Sequence, residues 1–367
     1  MANPLIDRIL ARYPGTARDS LTFPPESAEW DEKELELFIG SGGFVKPKRK
    51  KKAADVGPEG PRADADAGRS HAGLERPPLE PLLASPWWVN KPSPSAKVRL
   101  FCALGIGSVA STYTPWISRQ TADAYPSVEV CVVEYPGHGT HYARALDSVQ
   151  ALAEALAEEI VRCHCGPSGD ERPFALFGFS MGASVAYCVA QRLRGCAGLY
   201  LAGRGPPRDA LSPKIESLER WSDQGDAEGA ARVLVDDLLP VLMAPEQARS
   251  YARILQHRLS REDGRQEVLR QSRALVADSK VGMEANELPC DYQGRIQFYH
   301  SPADEIWPPR VDGLYDDFRD LWAPQTSGSF SSTELDSVSH DELGGPSSPV
   351  FRLVCEDLAR LVSASRS

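Results

Sequence analysis

The sequence predicts an α/β fold, in which helices flank a mostly parallel β-sheet and a helical lid is inserted between two strands. From Val98 onward, short apolar runs alternate with helical patterns, as expected of parallel strands that are buried on both faces. One segment, 209–285, interrupts this alternation with helical patterns and no strand-like run. It is too long for a plain crossover and is predicted to form a lid over the carboxyl ends of the strands.

The elements follow in chain order. The predicted strands are VRLFC (98–102), VEVCVV (128–133), PFALF (173–177), GLYLA (198–202) and RIQFY (295–299). Residues with helical spacing separate them or follow them, at 148–163, 181–193, 229–241, 245–259 and 349–362.

Residues 1–90 differ from the rest of the chain. They hold 11 of the 30 prolines and the basic run 46–52, and they offer little apolar surface to bury. We expect a mostly disordered extension with short helices at 4–13 and 30–39, followed by the folded domain at 91–367. The basic run is interpreted as a solvated linker or as a nuclear-import signal.

Charge and composition exclude several classes of protein. The net charge of −10 argues against binding to nucleic acid or to an anionic membrane. No apolar stretch approaches the roughly 18 residues of a membrane span, and no secretory signal is recognisable. We therefore expect a cytoplasmic protein whose eight cysteines are reduced thiols.

The chemistry is predicted from the run Phe177-Gly178-Phe179-Ser180-Met181-Gly182, which lies between a predicted strand and a predicted helix. G-x-S-x-G in that setting is typical of a nucleophile elbow, although a plain tight turn would also fit the pattern. The backbone N–H of Met181 is then one donor of an oxyanion hole. A second donor is expected from the loop after the first core strand, 104–108.

The partners of such a serine follow it in the order acid, then histidine. Of the histidines downstream, His340 precedes the last helix and is the favoured base; His300 is the alternative, and His257 lies in a predicted helix. Asp304 lies in the segment 301–305 that follows the last predicted strand and is the favoured acid, with Glu305 as its competitor.

These motifs resemble the type II thioesterases, the discrete editing enzymes of polyketide and non-ribosomal peptide assembly lines. The resemblance covers residues 97–362 and is carried by VEVCVVEYPGHG (128–139), PFALFGFSMGASVAY (173–187), LAGRGPP (201–207), ADEIWPP (303–309) and VSH (338–340). Phe179 stands where the family usually has histidine.

The resemblance implies an α/β-hydrolase fold with Ser180 as nucleophile, Asp304 as acid and His340 as base. Ile106 and Met181 match the two oxyanion-hole positions. It also implies a mobile lid, no metal or cofactor, and an acyl substrate on the phosphopantetheine arm of an acyl carrier protein.

Two other functions remain open: a carboxylesterase or lipase acting on small esters, and a non-catalytic interaction protein with the same fold. The lid also carries seven arginines between residues 249 and 273. They either bind an acidic carrier protein or form ion pairs within the lid.

Overall fold

The computed structural model describes residues 85–89, 93, 95–164, 172–203, 212–242, 245–284, 292–304 and 322–364. The basic run and the predicted helices at 4–13 and 30–39 lie outside these residues.

Within the described residues, seven strands form one sheet. In chain order they are β1 (Trp88–Val89), β2 (Val98–Ala103), β3 (Val128–Val133), β4 (Phe174–Phe179), β5 (Cys196–Ala202), β6 (Ile296–His300) and β7 (Phe330–Glu334). Their order across the sheet is β1-β3-β2-β4-β5-β6-β7, and every neighbouring pair is parallel except β1 and β3. The predicted α/β-hydrolase fold, with its mostly parallel sheet, is confirmed.

The described α-helices are α1 (Arg119–Ala124), α2 (Val149–His164), α3 (Met181–Arg192), α4 (Ser212–Asp223), α5 (Ala227–Val233), α6 (Leu239–Leu242), α7 (Pro245–Leu259), α8 (Glu262–Glu284), α9 (His340–Gly344) and α10 (Pro349–Ala364). A π-helical turn at Leu234–Leu238 joins α5 to α6, and 3₁₀ turns lie at Ala110–Ile117 and Ala323–Gln325. None of these helices combines the length and apolar character that crossing a bilayer requires.

The sheet is covered on both faces because its strands are apolar on both sides. On β2, Phe101 packs into the core beneath α2 and α3, whereas its neighbour Leu100 packs into the core beneath α10. Such alternation along a strand sends successive side chains to opposite faces. Five cysteines are reduced thiols, and all of these are buried except the partly exposed Cys196: Cys102, Cys131, Cys188, Cys196 and Cys355.

The segment between β5 and β6 is helical, as predicted. Helices α4 to α8 enclose a separate apolar core that includes Leu218, Leu238 and Val268. The break between α7 and α8 falls at residues 260–261, and Gly264 lies inside the first turn of α8. A side chain at Gly264 would collide with the carbonyl of Arg258, so the glycine serves close packing and does not end a helix.

Strand β1 forms one edge of the sheet, next to β3. Trp88 is buried and pairs with Val133 on β3, and the Ser85 hydroxyl donates a hydrogen bond to Glu159 on α2. The predicted domain boundary at residue 90 therefore falls after residues that belong to the sheet.

Candidate active site

Ser180 occupies a sharp turn at the carboxyl end of β4, directly before α3. Its backbone has φ 53° and ψ −124°, a conformation that residues with a side chain rarely adopt. Its N–H donates to the carbonyl of Ala202 at 2.9 Å, which fixes the turn against β5. The turn therefore holds Ser180 at the carboxyl edge of the sheet, where its side chain stays partly exposed.

The two glycines of the elbow are required by close packing. A Cβ at Gly178 would collide with the backbone of α3 at Gly182 and Ala183. A Cβ at Gly182 would collide with the carbonyls of Ala103 and Leu104. Glycine at both positions lets α3 start immediately after the strand and brings Ser180 next to the loop that follows β2.

Asp304 and His340 form a buried hydrogen-bonded pair at the same edge of the sheet. His340 Nδ1 lies 3.0 Å and 2.9 Å from the two carboxylate oxygens of Asp304. The Ser301 hydroxyl accepts the N–H groups of Ala303 and Val338, which ties the turn bearing Asp304 to the segment before His340. Donation from Nδ1 leaves Nε2 of His340 available to accept a proton.

His340 starts the short helix α9. Ser339 is its N-cap and forms a capping box with Glu342, so the residue before the imidazole is held in place. A Cβ at Gly203, directly after β5, would lie 3.3 Å from Cε1 of His340. The end of β5, which fixes Ser180 through Ala202, therefore also borders His340.

Phe179 supports this histidine, which the sequence analysis did not anticipate. Its ring lies against that of His340, with 4.8 Å between centroids, and Gly344 leaves room for it because any Cβ there would overlap the ring. The departure from the family's usual histidine thus places an apolar support beside the proposed base.

The alternatives occupy other surroundings. His300 stacks on Phe298 at 5.4 Å, and its Nδ1 lies 4.0 Å from Glu334. His257 lies on α7 in the lid. Glu305 is outside the described residues. Of the candidate histidines, the structure brings His340 together with Asp304.

The loop 104–108, which we call the oxyanion loop, borders the serine. A Cβ at Gly105 would lie 3.3 Å from Cβ of Ser180, so the loop backbone passes close to the serine at this residue. Ile106 is the next residue in the loop. Met181 is the first residue of α3. Both predicted donor positions therefore lie next to Ser180.

A second buried histidine–aspartate pair connects the lid to the sheet. His138 Nε2 lies 2.9 Å from Oδ2 of Asp278 on α8, and the same oxygen accepts the N–H of Gly107 in the oxyanion loop at 2.8 Å. Burial lowers the pKa of His138, but Asp278, the Pro136 carbonyl and Glu134 outweigh that effect, so the pKa is raised overall. The motif around His138 was visible in the sequence, whereas nothing in the sequence marked Asp278.

Most of the lid arginines bind groups within the protein. Arg258 donates to Gln271, Arg261 faces Asp263, Arg265 and Arg273 donate to carbonyls of the lid, and Arg270 binds Glu267 and the carbonyl of Gly137. These contacts favour pairing within the molecule over a carrier-binding patch for these five side chains.

The family model described as a thioesterase domain matches residues 98–331. The chain belongs to the thioesterase domain family. That match confirms the predicted family, and it includes Ser180, Asp304 and the oxyanion loop but ends before His340.

Two curated relatives show how far the sequence similarity extends along the chain. Thioesterase PikA5 of Streptomyces venezuelae is 33% identical over 176 residues, which cover 45% of this chain and 59% of PikA5. Gramicidin S biosynthesis protein GrsT of Aneurinibacillus migulanus is 32% identical over 130 residues, covering 33% of this chain and 46% of GrsT. The matched regions therefore span less than two thirds of these relatives.

Solved structures similar to this thioesterase-family chain include the RedJ thioesterase of the prodiginine pathway in Streptomyces coelicolor. It has 23% identity and a TM-score of 0.46 over 76% of this chain and 95% of that one. The type II thioesterase BorB of the borrelidin cluster has 20% identity and a TM-score of 0.49, and the match covers 74% of this chain and 96% of BorB.

Proposed function

We propose that this chain is a serine thioesterase in which Ser180 is the nucleophile, His340 the general base and Asp304 the acid that orients it. The 2.9 Å contact between His340 Nδ1 and Asp304, beside a serine held in an elbow, is the observation that carries this proposal. The family membership supports a thioester as the bond that is cleaved.

The reaction takes two steps. His340 Nε2 removes the proton from Ser180 as its oxygen attacks the thioester carbonyl, and the thiol leaves after taking that proton from the imidazolium. Water then attacks the acyl-serine, gives a proton to His340, and releases the carboxylic acid with Ser180 restored.

Each tetrahedral intermediate carries negative charge on the former carbonyl oxygen. The N–H groups of Met181 and Ile106 are the proposed donors to this oxygen. Asp304 stabilises the imidazolium and fixes its tautomer. These steps use side chains and backbone of this chain alone, with no metal or cofactor.

The proposed substrate is an acyl group on the phosphopantetheine arm of an acyl carrier protein. Supporting this, PikA5 is named a thioesterase and GrsT a gramicidin S biosynthesis protein. The free thiols of the described cysteines support a reducing compartment, the cytoplasm.

We further propose that the helical segment 212–284 is the lid of the site and that the folded domain begins at or before Ser85. The lid proposal is supported by α8, whose Asp278 reaches the oxyanion loop. The domain proposal is supported by the pairing of Trp88 with Val133.

Replacing Ser180 with alanine tests the nucleophile. The variant is expected to fold, to lose labelling by a fluorophosphonate probe, and to retain less than about 1% of thioester hydrolysis, because the acyl-enzyme cannot form. Ser184→Ala is a matched control: it makes the same change one turn along α3, at a buried hydroxyl with no hydrogen-bond partner among the described residues.

The substrate class is tested on the wild-type protein with acyl-carrier thioesters, acyl-CoA and p-nitrophenyl esters. Higher kcat/KM on acyl-carrier thioesters supports the proposal. Preference for simple esters would indicate a carboxylesterase, and absence of serine labelling in folded protein would indicate an interaction protein.

A further inference from the structure

The oxyanion loop rests on one face of the lid helix α8. A Cβ at Gly107 would lie 3.4 Å from Cδ1 of Leu275, and a Cβ at Gly282 would lie 3.4 Å from Cδ1 of Ile106. Asp278 lies between Leu275 and Gly282 in the helix, and spacings of three and four residues place all three on one face. The loop therefore touches α8 through apolar contacts on either side of Asp278.

A single carboxylate oxygen joins three segments at this face. Oδ2 of Asp278 accepts the N–H of Gly107 at 2.8 Å and also faces Nε2 of His138 at 2.9 Å. Gly107 follows β2, His138 follows β3, and Asp278 belongs to α8. Both side chains of the pair are buried.

The geometry also favours the charged form of the histidine. Nδ1 of His138 lies 3.1 Å from the carbonyl of Pro136, while Nε2 faces Asp278. Carbonyl and carboxylate oxygens only accept hydrogen bonds, so both contacts are satisfied together when both ring nitrogens carry protons. We therefore assign His138 as an imidazolium paired with the carboxylate of Asp278.

Stability alone does not explain a buried ion pair here. Desolvation of two charges offsets much of their attraction, and an apolar pair of similar volume often stabilises a core equally well. What apolar side chains could not supply is the acceptor for Gly107. That acceptor holds the peptide that directly follows Ile106, the proposed second oxyanion donor.

We propose that Asp278 and His138 are positioning residues for hydrolysis: they hold the oxyanion loop against α8, so that the N–H of Ile106 is aimed at the reacting carbonyl oxygen only while the lid helix is seated. His138 orients Asp278, and Asp278 orients Gly107. Neither residue touches the reacting atoms. The inference rests on the proposed function, because it assigns a role within the same site.

Asp278→Ala tests the proposal directly because it removes the carboxylate that accepts the hydrogen bond of Gly107. We expect kcat on a short acyl-pantetheine thioester to fall about 30-fold, less than the roughly 10²–10³ of losing a donor outright. KM should stay within about threefold, because the interaction acts in the transition state. Asp278→Asn keeps an oxygen that can accept both hydrogen bonds and is expected to restore most of kcat.

A double variant covers the case in which Asp278→Ala does not fold. His138→Phe combined with Asp278→Leu removes both charges together, so no unpaired ion is left buried. It should melt cooperatively and show the same loss of kcat at unchanged KM.

Lys280→Met is the matched control. It breaks the 2.7 Å ion pair between Lys280 and Glu219 within the lid, and it lies two residues from Asp278, on another face of α8. We expect wild-type kcat. Wild-type kcat in the folded double variant, or an equal loss in Lys280→Met, would overturn the inference. Failure of the wild-type protein to hydrolyse any thioester would instead overturn the proposed function.

Discussion

His340 is held from two sides by side chains of different character. Asp304 binds its Nδ1 proton, and the ring of Phe179 packs at 4.8 Å from its own ring. The first contact sets the tautomer and the second restricts the orientation of the imidazole. Together they aim Nε2 away from the acid, toward the position at which a base would act.

Replacing each of two histidines separates the proposed base from its alternative. His340→Ala is expected to lower kcat by at least about 10³-fold, in line with losing a member of a catalytic triad. His300→Ala should keep kcat within about threefold, because His300 stacks on Phe298 and its Nδ1 faces Glu334. The opposite ranking in steady-state assays would move the base to His300.

Individual site residues differ in how visible they are in the sequence. Ser180, Asp304 and His340 could be proposed as candidates because Ser180 directly follows an apolar strand, Asp304 lies in the turn after another, and the three occur in the expected order. Asp278 could not be predicted, since it lies 140 residues from His138 and only packing of the lid brings them together. Phe179 was noticed as an exception, but its contact with His340 required coordinates.

At the scale of elements, β1 shows how a two-residue strand can anchor a sheet edge. Trp88 fills a place in the core beside Phe101, with 5.0 Å between ring centroids. Its sequence shows no periodicity, because two residues are too short for an alternating pattern. Strands β2 to β6 and helices α2, α3, α7 and α10 are longer, and the sequence predicted their ends to within a few residues.

Two truncations measure what this strand contributes. A chain that starts at Ser85 keeps Trp88 and the hydrogen bond to Glu159, whereas one that starts at Lys91 loses both. We expect the shorter chain to be less stable by about 3–5 kcal/mol, the usual cost of deleting a buried aromatic side chain. Thermal denaturation of both proteins provides the measurement.

Both truncated chains should retain kcat on a small acyl thioester at temperatures where they are folded, because the deleted residues include none of the proposed catalytic residues. Equal melting temperatures would show that β1 contributes nothing to stability. Loss of activity in a folded chain starting at Ser85 would require residues 1–84 to take part in the site.

At the scale of the whole molecule, the buried pair between α8 and the sheet makes stability depend on pH. The folded-state pKa of His138 is raised above 6.5, while in the unfolded chain the same imidazole titrates near its ordinary value. The stabilising contribution is therefore complete below about pH 6.5 and is lost as pH rises through the raised pKa. Glu134 and Asp278 are the acidic groups that favour the charged form.

The free energy of unfolding should consequently fall, as pH rises above about 6.5, more in the wild-type protein than in Asp278→Asn. In that variant the carboxylate charge that raises the pKa of His138 is removed while burial, which lowers it, remains, so a rise in pH should cost less stability through this group. Urea denaturation at a series of pH values compares the two proteins. Parallel curves would contradict the assigned charge state.

The burial of Cys102 and Cys355 has a practical consequence for chemical labelling. Burial raises the pKa of the Cys102 thiol and likewise that of Cys355, so the thiolate, the form that reacts with alkylating reagents, is scarce at both. Both side chains lie within the core beneath α10. Reagents directed at serine and at sulfur should therefore distinguish Ser180 from these two thiols in the native protein, which permits a reporter group to be attached at the proposed nucleophile without first replacing either cysteine.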